Sequence, residues 1–318
     1  MVKTRKLGYT ELELTEIGLG TWAQGGGGWK FAWGEQDDTD SIRTIHKALD
    51  LGINWIDTAA IYGLGHAEEV LGKALKGMKD KPVVATKCSR RWDSDGNIIK
   101  IQTRDSVRKE VEDSLKRLQL DIIDLYQVHW PEPEEQIEEG WEAMTGLLTE
   151  GKVRCIGVSN FNIAQLEKIA PIHRPVSLQP PYSMIAPDVE NKLLPYCADH
   201  DMGIVSYSPM YKGLLTGKIT RERIAAFPAD DHRRDDPNFR EPRISKHLAL
   251  VDGLKVIADE LEITLAQLAI AWVLRRPEVT SAIVGARRPG QIEDTARAAE
   301  VSLSEDSIAR IDDLMGKN

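Results

Sequence analysis

The chain reads as an α/β protein, a (β/α)8 TIM barrel with an N-terminal β-hairpin and a long inserted loop before the last strand. Three observations predict it. Eight short apolar runs recur along the 318 residues, amphipathic stretches separate most of them, and no G-x-G-x-x-G follows the first run. Short, nearly continuously apolar runs suit strands buried on both faces of a parallel sheet. Strand–helix repetition on this scale favours a closed barrel, and the missing glycine fingerprint counts against an open dinucleotide-binding sheet.

Taken in order, residues 1–15 read as a hairpin turning at Gly8–Tyr9–Thr10 and closing the bottom of the barrel. The strand runs are 17–22, 53–58, 83–87, 122–129, 153–159, 176–182, 203–209 and 281–286. Ile42, Ile45 and Leu49 form a helical stripe after a start at Thr39. Val107, Val111, Leu115 and Leu118 form another, with Thr103 as N-cap. Ile137, Trp141, Met144 and Leu148 make a third; Ile163, Leu166 and Ile169 follow the fifth strand, and Leu193, Leu194 and Cys197 the sixth. Thr264 caps a segment running to Arg276, and Ser304 a last helix. Trp141 and Trp272 fall within these stripes and read as core. Residues 218–247 are charged, hold three prolines, and read as a lid or irregular connection. No linker or composition shift divides 1–318, so a single domain is expected.

With 42% apolar and 29% charged residues, the chain can build a sizeable core. A formal net charge of −9 argues against a general nucleic-acid or anionic-membrane binder. Cys88, Cys155 and Cys197 are scattered without paired metal spacing, which fits reduced thiols and no metal site. No apolar stretch reaches membrane-spanning length, and the basic start lacks the apolar core of a signal peptide. A cytoplasmic location is the expectation.

Four residues carry the chemistry: Asp57 and Tyr62 in "NWIDTAAIYG", Lys87 in "VVATK" and His129 in "DLYQVHW". Each lies at or just past the carboxyl end of a strand run, the end where barrel active sites are built. Free tyrosine titrates near ~10. An ammonium nearby is expected to lower that value, and a carboxylate to keep the lysine charged. The set suits proton delivery to a carbonyl oxygen as a hydride reaches the carbon. Taken singly, the Asp–Lys pair also suits a structural ion pair, the histidine a satisfied core residue, and the tyrosine plain packing.

"GLGTW", "DTAAIYG", "ATK", "DLYQVHWP", "IGVSNF", "QPPYS" and "YSPMYKGLLTGK" resemble, in order and spacing, the motifs of the aldo-keto reductases. The resemblance runs from Lys6 to the last helix. "GLLTGK" and "GARRPGQIED" make it closest to the bacterial and plant branch of general stress protein reductases and potassium-channel β-subunits. It implies a metal-free barrel that uses NADP(H), or less often NAD(H), with Tyr62 as general acid aided by Lys87, Asp57 and His129. It also implies that Ser159, Asn160 and Gln179 hold the nicotinamide carboxamide and that Tyr207 stacks on the ring. Gly20, Thr21 and Trp22, with Asp57, would pass near the ribose and pyrophosphate. Ser208, Pro209, Met210, Gly213, Leu214 and Lys218 after the seventh strand, and Gly285, Ala286 and Arg287 after the eighth, would form the phosphate-binding connections. Gln291 and Asp294 would meet the adenosine end. Where many members carry a lysine and then a serine or threonine, this chain has Ala286–Arg287–Arg288, and Asp294 replaces a common asparagine. Arginines before Pro289 suit bidentate contact with a 2′-phosphate, which favours NADP(H).

The tryptophans are unevenly placed. Trp29 and Trp33 near the Gly25–Gly28 loop, Trp92 after strand three and Trp130 beside His129 read as walls of a substrate cleft, with Tyr182 at its rim. The expected function is a reversible NADP-dependent reduction of aldehydes or ketones by a monomer or weak homo-oligomer acting on small molecules, without nucleic acid or membrane. The alternative is an NADPH-binding regulatory or sensor subunit with little turnover. A phosphate-binding aldolase or isomerase would use the same lysine but leaves "VSNF" and "QPPYS" unexplained.

Overall fold

The computed structural model describes residues 3–316. In chain order the elements begin with β1 (Thr4–Lys6), β2 (Glu13–Thr15), β3 (Ile17–Gly20), α1 (Asp38–Asp50), β4 (Trp55–Asp57) and α2 (His66–Leu75). Then come β5 (Val83–Cys88), β6 (Arg90–Trp92), β7 (Ile98–Lys100), α3 (Arg104–Leu118), β8 (Ile123–Val128), α4 (Ile137–Thr149), β9 (Val153–Ser159) and α5 (Ile163–Ile169). The rest are β10 (Ser177–Gln179), α6 (Leu193–Asp199), β11 (Gly203–Ser206), α7 (Arg221–Ala225), α8 (Arg243–Glu260), α9 (Leu265–Leu274), β12 (Val279–Gly285), α10 (Pro289–Ala296) and α11 (Glu305–Leu314).

Strands β3, β4, β5, β8, β9, β10, β11 and β12 close a barrel in that order, β12 returning to pair with β3. All eight pairings are parallel, as the alternation predicts. The register fixes the site. Gly20 pairs with Asp57, Asp57 with Ala85, Lys87 with Gln127, and Ser159 with Gln179, so these residues stand at one end of the barrel.

β1 and β2 form the expected antiparallel hairpin; Met1 and Val2, included in the sequence expectation, lie outside the described residues. Gly8 turns with φ +56°, and a Cβ there would stand 2.5 Å from the Val176 carbonyl oxygen. Leu7 and Leu14 pack with Trp55, Ala85, Leu125, Val205 and Ile283 into an apolar cluster. Arg5 donates to the carbonyls of Leu274, Arg276 and Val279 and pairs with Glu16 at 2.6 Å, stapling the chain's start to its last barrel strand.

Thr103, Thr264 and Ser304 cap α3, α9 and α11 as the sequence predicts. The first helix departs from expectation: its cap is Asp37, whose side chain accepts from the Asp40 N–H, and Thr39 lies inside the first turn. Two helices, α2 and α8, and the antiparallel hairpin β6–β7 are absent from the sequence reading. The 218–247 segment is only partly irregular. It contains α7, two 3-10 turns at 232–234 and 237–239, and the first turn of α8. Among the described residues no helix is long and apolar enough to cross a membrane.

Candidate active site

Lys87 extends from β5 into the wall between β4 and the turn that follows it. Its Nζ donates to Asp57 Oδ2 at 2.7 Å and to the Thr58 carbonyl at 2.9 Å, and reaches the Tyr62 hydroxyl at 3.4 Å. The other carboxylate oxygen, Oδ1, accepts from Gln179 Nε2 at 2.9 Å. Both ends of the ion pair are therefore hydrogen-bonded, which is what allows a buried pair to persist.

Tyr62 is held by its turn. Its N–H donates to Ala59, and Gly63, at φ +62°, packs against Gly25 so closely that a Cβ would lie 2.0 Å from the Gly25 carbonyl. The loop after β3 thus fixes the turn that carries the phenol. The Tyr62 ring meets His129 edge to face, with centroids 5.9 Å apart, and is stacked with Trp22 at 6.2 Å. His129 follows β8; its N–H donates to Cys88, and its carbonyl accepts from Asn160 Nδ2 at 3.0 Å.

The electrostatics differ from the sequence expectation. The Tyr62 hydroxyl is raised well above its ordinary value, by burial first, then by Asp57 and Tyr207. Lys87, 3.4 Å from the hydroxyl, lies closer to Asp57, at 2.7 Å. Burial also pulls Lys87 down and His129 well below 6.5. The site therefore holds a neutral phenol and a neutral imidazole.

Above this group lies a cavity of about 840 Å³, within the size range of small-molecule sites. Asp57, Tyr62, His129, Ser159, Asn160, Gln179 and Tyr207 all line it. Asn160 adopts φ +64°, a conformation asparagine tolerates, and its side chain bridges β9 to its neighbours. Its Oδ1 accepts from the Tyr207 hydroxyl at 2.9 Å while its Nδ2 donates to Ser159 Oγ at 3.0 Å. Gly20, Trp22, Ser208, Pro209, Met210, Gly213 and Gly285 also border the cavity, as do Trp29, Trp33 and Trp130.

Other residues singled out in the sequence stand elsewhere. Thr21 is buried, tying the ends of β3 and β4 through Thr58 Oγ1 at 2.7 Å. Leu214 belongs to an apolar cluster with Phe227, Phe239 and Ile244, and Lys218 is exposed. Ala286 is buried, and its carbonyl accepts from Gln24. Arg287 spends its guanidinium on Gln36 Oε1 at 2.6 Å and on the carbonyls of Trp33 and Glu35. Arg288 is exposed at the start of α10, and Gln291 Oε1 accepts the N–H groups of both arginines. Asp294 accepts from Gln267 Nε2 at 2.8 Å. Trp92 ends β6 and packs against the cluster of Trp29, Ala32, Ala59 and Ile61, with the Arg117 guanidinium 5.6 Å from its ring. Tyr182 points away from the cavity: it is buried beside Trp272, and its hydroxyl engages Glu190 and Arg275.

The structure also brings in residues the sequence did not single out. Arg90 and Lys100, from the hairpin, pair with Glu132 at 2.6 and 2.9 Å on one rim. Phe31, Lys212 and His232 also line the cavity. Only the neighbouring β-pairing of "SRRW" and "NIIK" hints at the first group, and nothing local marks His232.

Fold and relatives together define a (β/α)8-barrel oxidoreductase. The chain belongs to the aldo/keto reductase family, whose model matches residues 16–315. It is 44% identical over 290 residues to the aldo-keto reductase YhdN of Bacillus subtilis (strain 168), spanning 89% of this chain and 85% of that protein. It is 34% identical over 318 residues to the NADH-specific methylglyoxal reductase of Escherichia coli (strain K12), spanning 96% and 95%. Among solved structures, the glycerol dehydrogenase AKR11B4 from Gluconobacter oxydans superimposes with a TM-score of 0.89 at 37% identity, covering 99% of this chain and 95% of that one.

Proposed function

We propose that the protein interconverts aldehydes or ketones and their alcohols by hydride transfer, preferring NADP(H) to NAD(H), with Tyr62 as the general acid. The observation that carries this reading is the Asp57–Lys87–Tyr62 chain, which ends in a neutral phenol on the cavity wall beside His129.

The cavity suits a nicotinamide dinucleotide. Gln179 Nε2 is committed to Asp57, but no donor among the described residues reaches its Oε1, which is left for an amide N–H. Ser159 and Asn160 stand beside it, and the Tyr207 ring offers an apolar face. A Cβ added at Gly285 meets nothing within 4 Å, so the backbone is open to a phosphate there. Arg288, rather than the committed Arg287, is the cation proposed for a 2′-phosphate. The NADH-specific relative is the reason both cofactors belong in any test.

A bound nicotinamide supplies or accepts the hydride. Tyr62 then gives its proton to the oxygen on which charge develops, and keeps it until that moment because burial disfavours the phenolate. The ammonium of Lys87, 3.4 Å away, faces the phenolate that results. Asp57 fixes the ammonium, and Gln179 fixes Asp57. Neutral His129 hydrogen-bonds the substrate oxygen and orients it without bringing a competing charge.

The test follows NADPH and NADH oxidation by absorbance with an activated aromatic aldehyde, for the wild type and Tyr62→Phe. Turnover is expected to fall by about 10²–10⁴-fold in the variant, with cofactor binding retained. Equal turnover in both proteins overturns the assignment.

A further inference from the structure

The hairpin after β5 breaks a local rule at the edge of the cavity. Arg90 and Lys100 are direct partners in the antiparallel β6–β7 pair, so two like charges stand opposite one another. Such a placement costs stability unless something offsets it. Both residues border the cavity, as does Glu132, three positions beyond His129. A single oxygen, Glu132 Oε2, receives Arg90 Nη2 at 2.6 Å and Lys100 Nζ at 2.9 Å. The Glu132 carboxyl is held below its usual value, first by the hydrogen bond from Lys100, so it carries its charge.

One carboxylate between two cations leaves a positive charge over. The other carboxylates on the cavity lining each have a cation of their own: Asp57 has Lys87 at 2.7 Å, Asp235 has Arg240 at 2.6 Å and Asp236 has Lys212 at 2.7 Å. The excess lies on a chain whose formal net charge is −9, so a cationic patch beside a cleft runs against the field of the whole molecule. The two cations differ in reach. Arg90 is fixed: its side chain is 9% exposed, and Nη1 donates to the carbonyls of Ser89 at 2.8 Å and Glu132 at 3.4 Å. The Lys100 side chain is 59% exposed, and an ammonium has three donors, of which the Glu132 bond uses one. A residue that borders the cavity and is still more than half exposed stands at its mouth, open to an incoming group. Asp93 holds the turn of the hairpin, its Oδ1 accepting from the N–H groups of Asp95 and Asn97, both at 2.9 Å.

Position around the barrel separates this patch from the cofactor's phosphates. In the ring of eight strands β5 and β11 stand four apart, and so do β8 and β12. The hairpin and Glu132 follow β5 and β8, whereas the phosphate-binding connections proposed above follow β11 and β12. The two groups of loops are therefore diametrically opposed. Nearer to hand is the reacting end of the site: the Arg90 guanidinium lies 6.0 Å from the ring of Trp130, the residue after His129.

We propose that Lys100, with Arg90 beside it, forms a carboxylate-binding subsite at the cavity mouth, so that the preferred substrates are carbonyl compounds carrying a carboxylate at the end remote from the carbonyl. The substrate carboxylate accepts from the Lys100 donors that Glu132 leaves unused, and its charge offsets the excess cation. This deepens the reductase reading and rests on it for the word substrate and for where the cofactor's phosphates lie. Glu132 sets the strength of the subsite: it holds the two cations together in the free protein and opposes the incoming anion by like charge.

The test compares 3- and 4-formylbenzoate with the corresponding neutral formylbenzamides at low ionic strength, for the wild type, Lys100→Gln and Glu132→Gln. The wild type is expected to favour the carboxylate in kcat/KM by about fivefold in at least one of the two pairs, and the preference to fade at about 1 M salt. The ratio is expected to fall to about one in Lys100→Gln and to rise above the wild type's in Glu132→Gln, which removes the competing anion. Calorimetric titration with the matching hydroxymethyl benzoates and benzamides, with NADPH present, reads the same preference without turnover. A carboxylate preference in binding that is lost in Lys100→Gln, while no aldehyde is reduced, leaves the subsite standing and overturns the reductase reading. Equal wild-type affinity for acid and amide in both pairs, or a preference that survives Lys100→Gln, overturns the subsite. So does weaker NADPH binding in Lys100→Gln with an unchanged acid-to-amide ratio, which assigns the cation to the cofactor.

Discussion

Lys87 Nζ lies 2.7 Å from Asp57 Oδ2, with the two side chains only 0 and 3% exposed. Removing one member of such a pair leaves the other charged and dry. Lys87→Met is expected to cost about 3–5 kcal/mol of folding stability, read from urea unfolding. Combining it with Asp57→Asn should cost less than the two single losses added together, because the second change removes the stranded charge. Strict additivity would mean that the two residues act independently.

The neutral states of Tyr62 and His129 predict an unusual pH response. With the phenol raised well above 10 and the imidazole held well below 6.5, neither titrates in the working range. The reductive kcat/KM is therefore expected to stay level from about pH 7 to about pH 9, rather than form a bell. A steep limb near pH 6.5 would assign His129 an ordinary environment.

Glu110 gives a stability prediction with a definite sign. It is buried in α3, with one carboxyl oxygen accepting from the Ser106 hydroxyl at 2.9 Å. Burial pushes its carboxyl up from 4.5 to about 7. Below both values the folded and unfolded chains each hold the proton. As pH rises from about 4.5 to about 7, the unfolded chain releases its proton first, so this group's contribution to stability falls, by on the order of 3 kcal/mol in all. Glu110→Gln, measured by denaturant unfolding across that window, should flatten the slope and be the more stable protein at pH 8.

Cofactor choice turns on which arginine is available. Arg287 is tied to Gln36, Trp33 and Glu35, whereas Arg288 is exposed at the head of α10. Arg288→Ala is expected to raise the KM for NADPH about tenfold and leave that for NADH nearly unchanged. Arg287→Ala should impair both cofactors together by loosening the loop after β3. Initial-rate measurements with each cofactor decide between the two.

The barrel was legible in the sequence because its strands are buried on both faces and therefore write continuous apolar runs. The ends of those runs located Asp57, Lys87 and His129 for the same reason. Helix α2 left no such trace. It starts after Gly65 in a left-handed conformation without a side-chain cap, and so many of its ten residues are buried that the polar contrast is lost. The direction of the Tyr62 pKa could not be read because its first cause is burial, a property of the folded chain that no spacing encodes. Arg287 resembled a phosphate ligand until Gln36, distant in the chain, took its Nε. Tyr182 looked like a rim residue; its hydroxyl instead meets Arg275, 93 positions away.

The staple made by Arg5 has a consequence for synthesis. Its carbonyl partners lie 269 to 274 residues further along the chain, and the β12 strand that pairs with β3 is made correspondingly later. At about 5–20 residues per second, β3 waits on the order of tens of seconds for its second neighbour. Throughout that interval the nascent protein is an open sheet with a bare edge, the form in which strands recruit foreign partners. The ring is sealed only once β12 has been made, so this exposure belongs to the growing chain and not to the finished barrel.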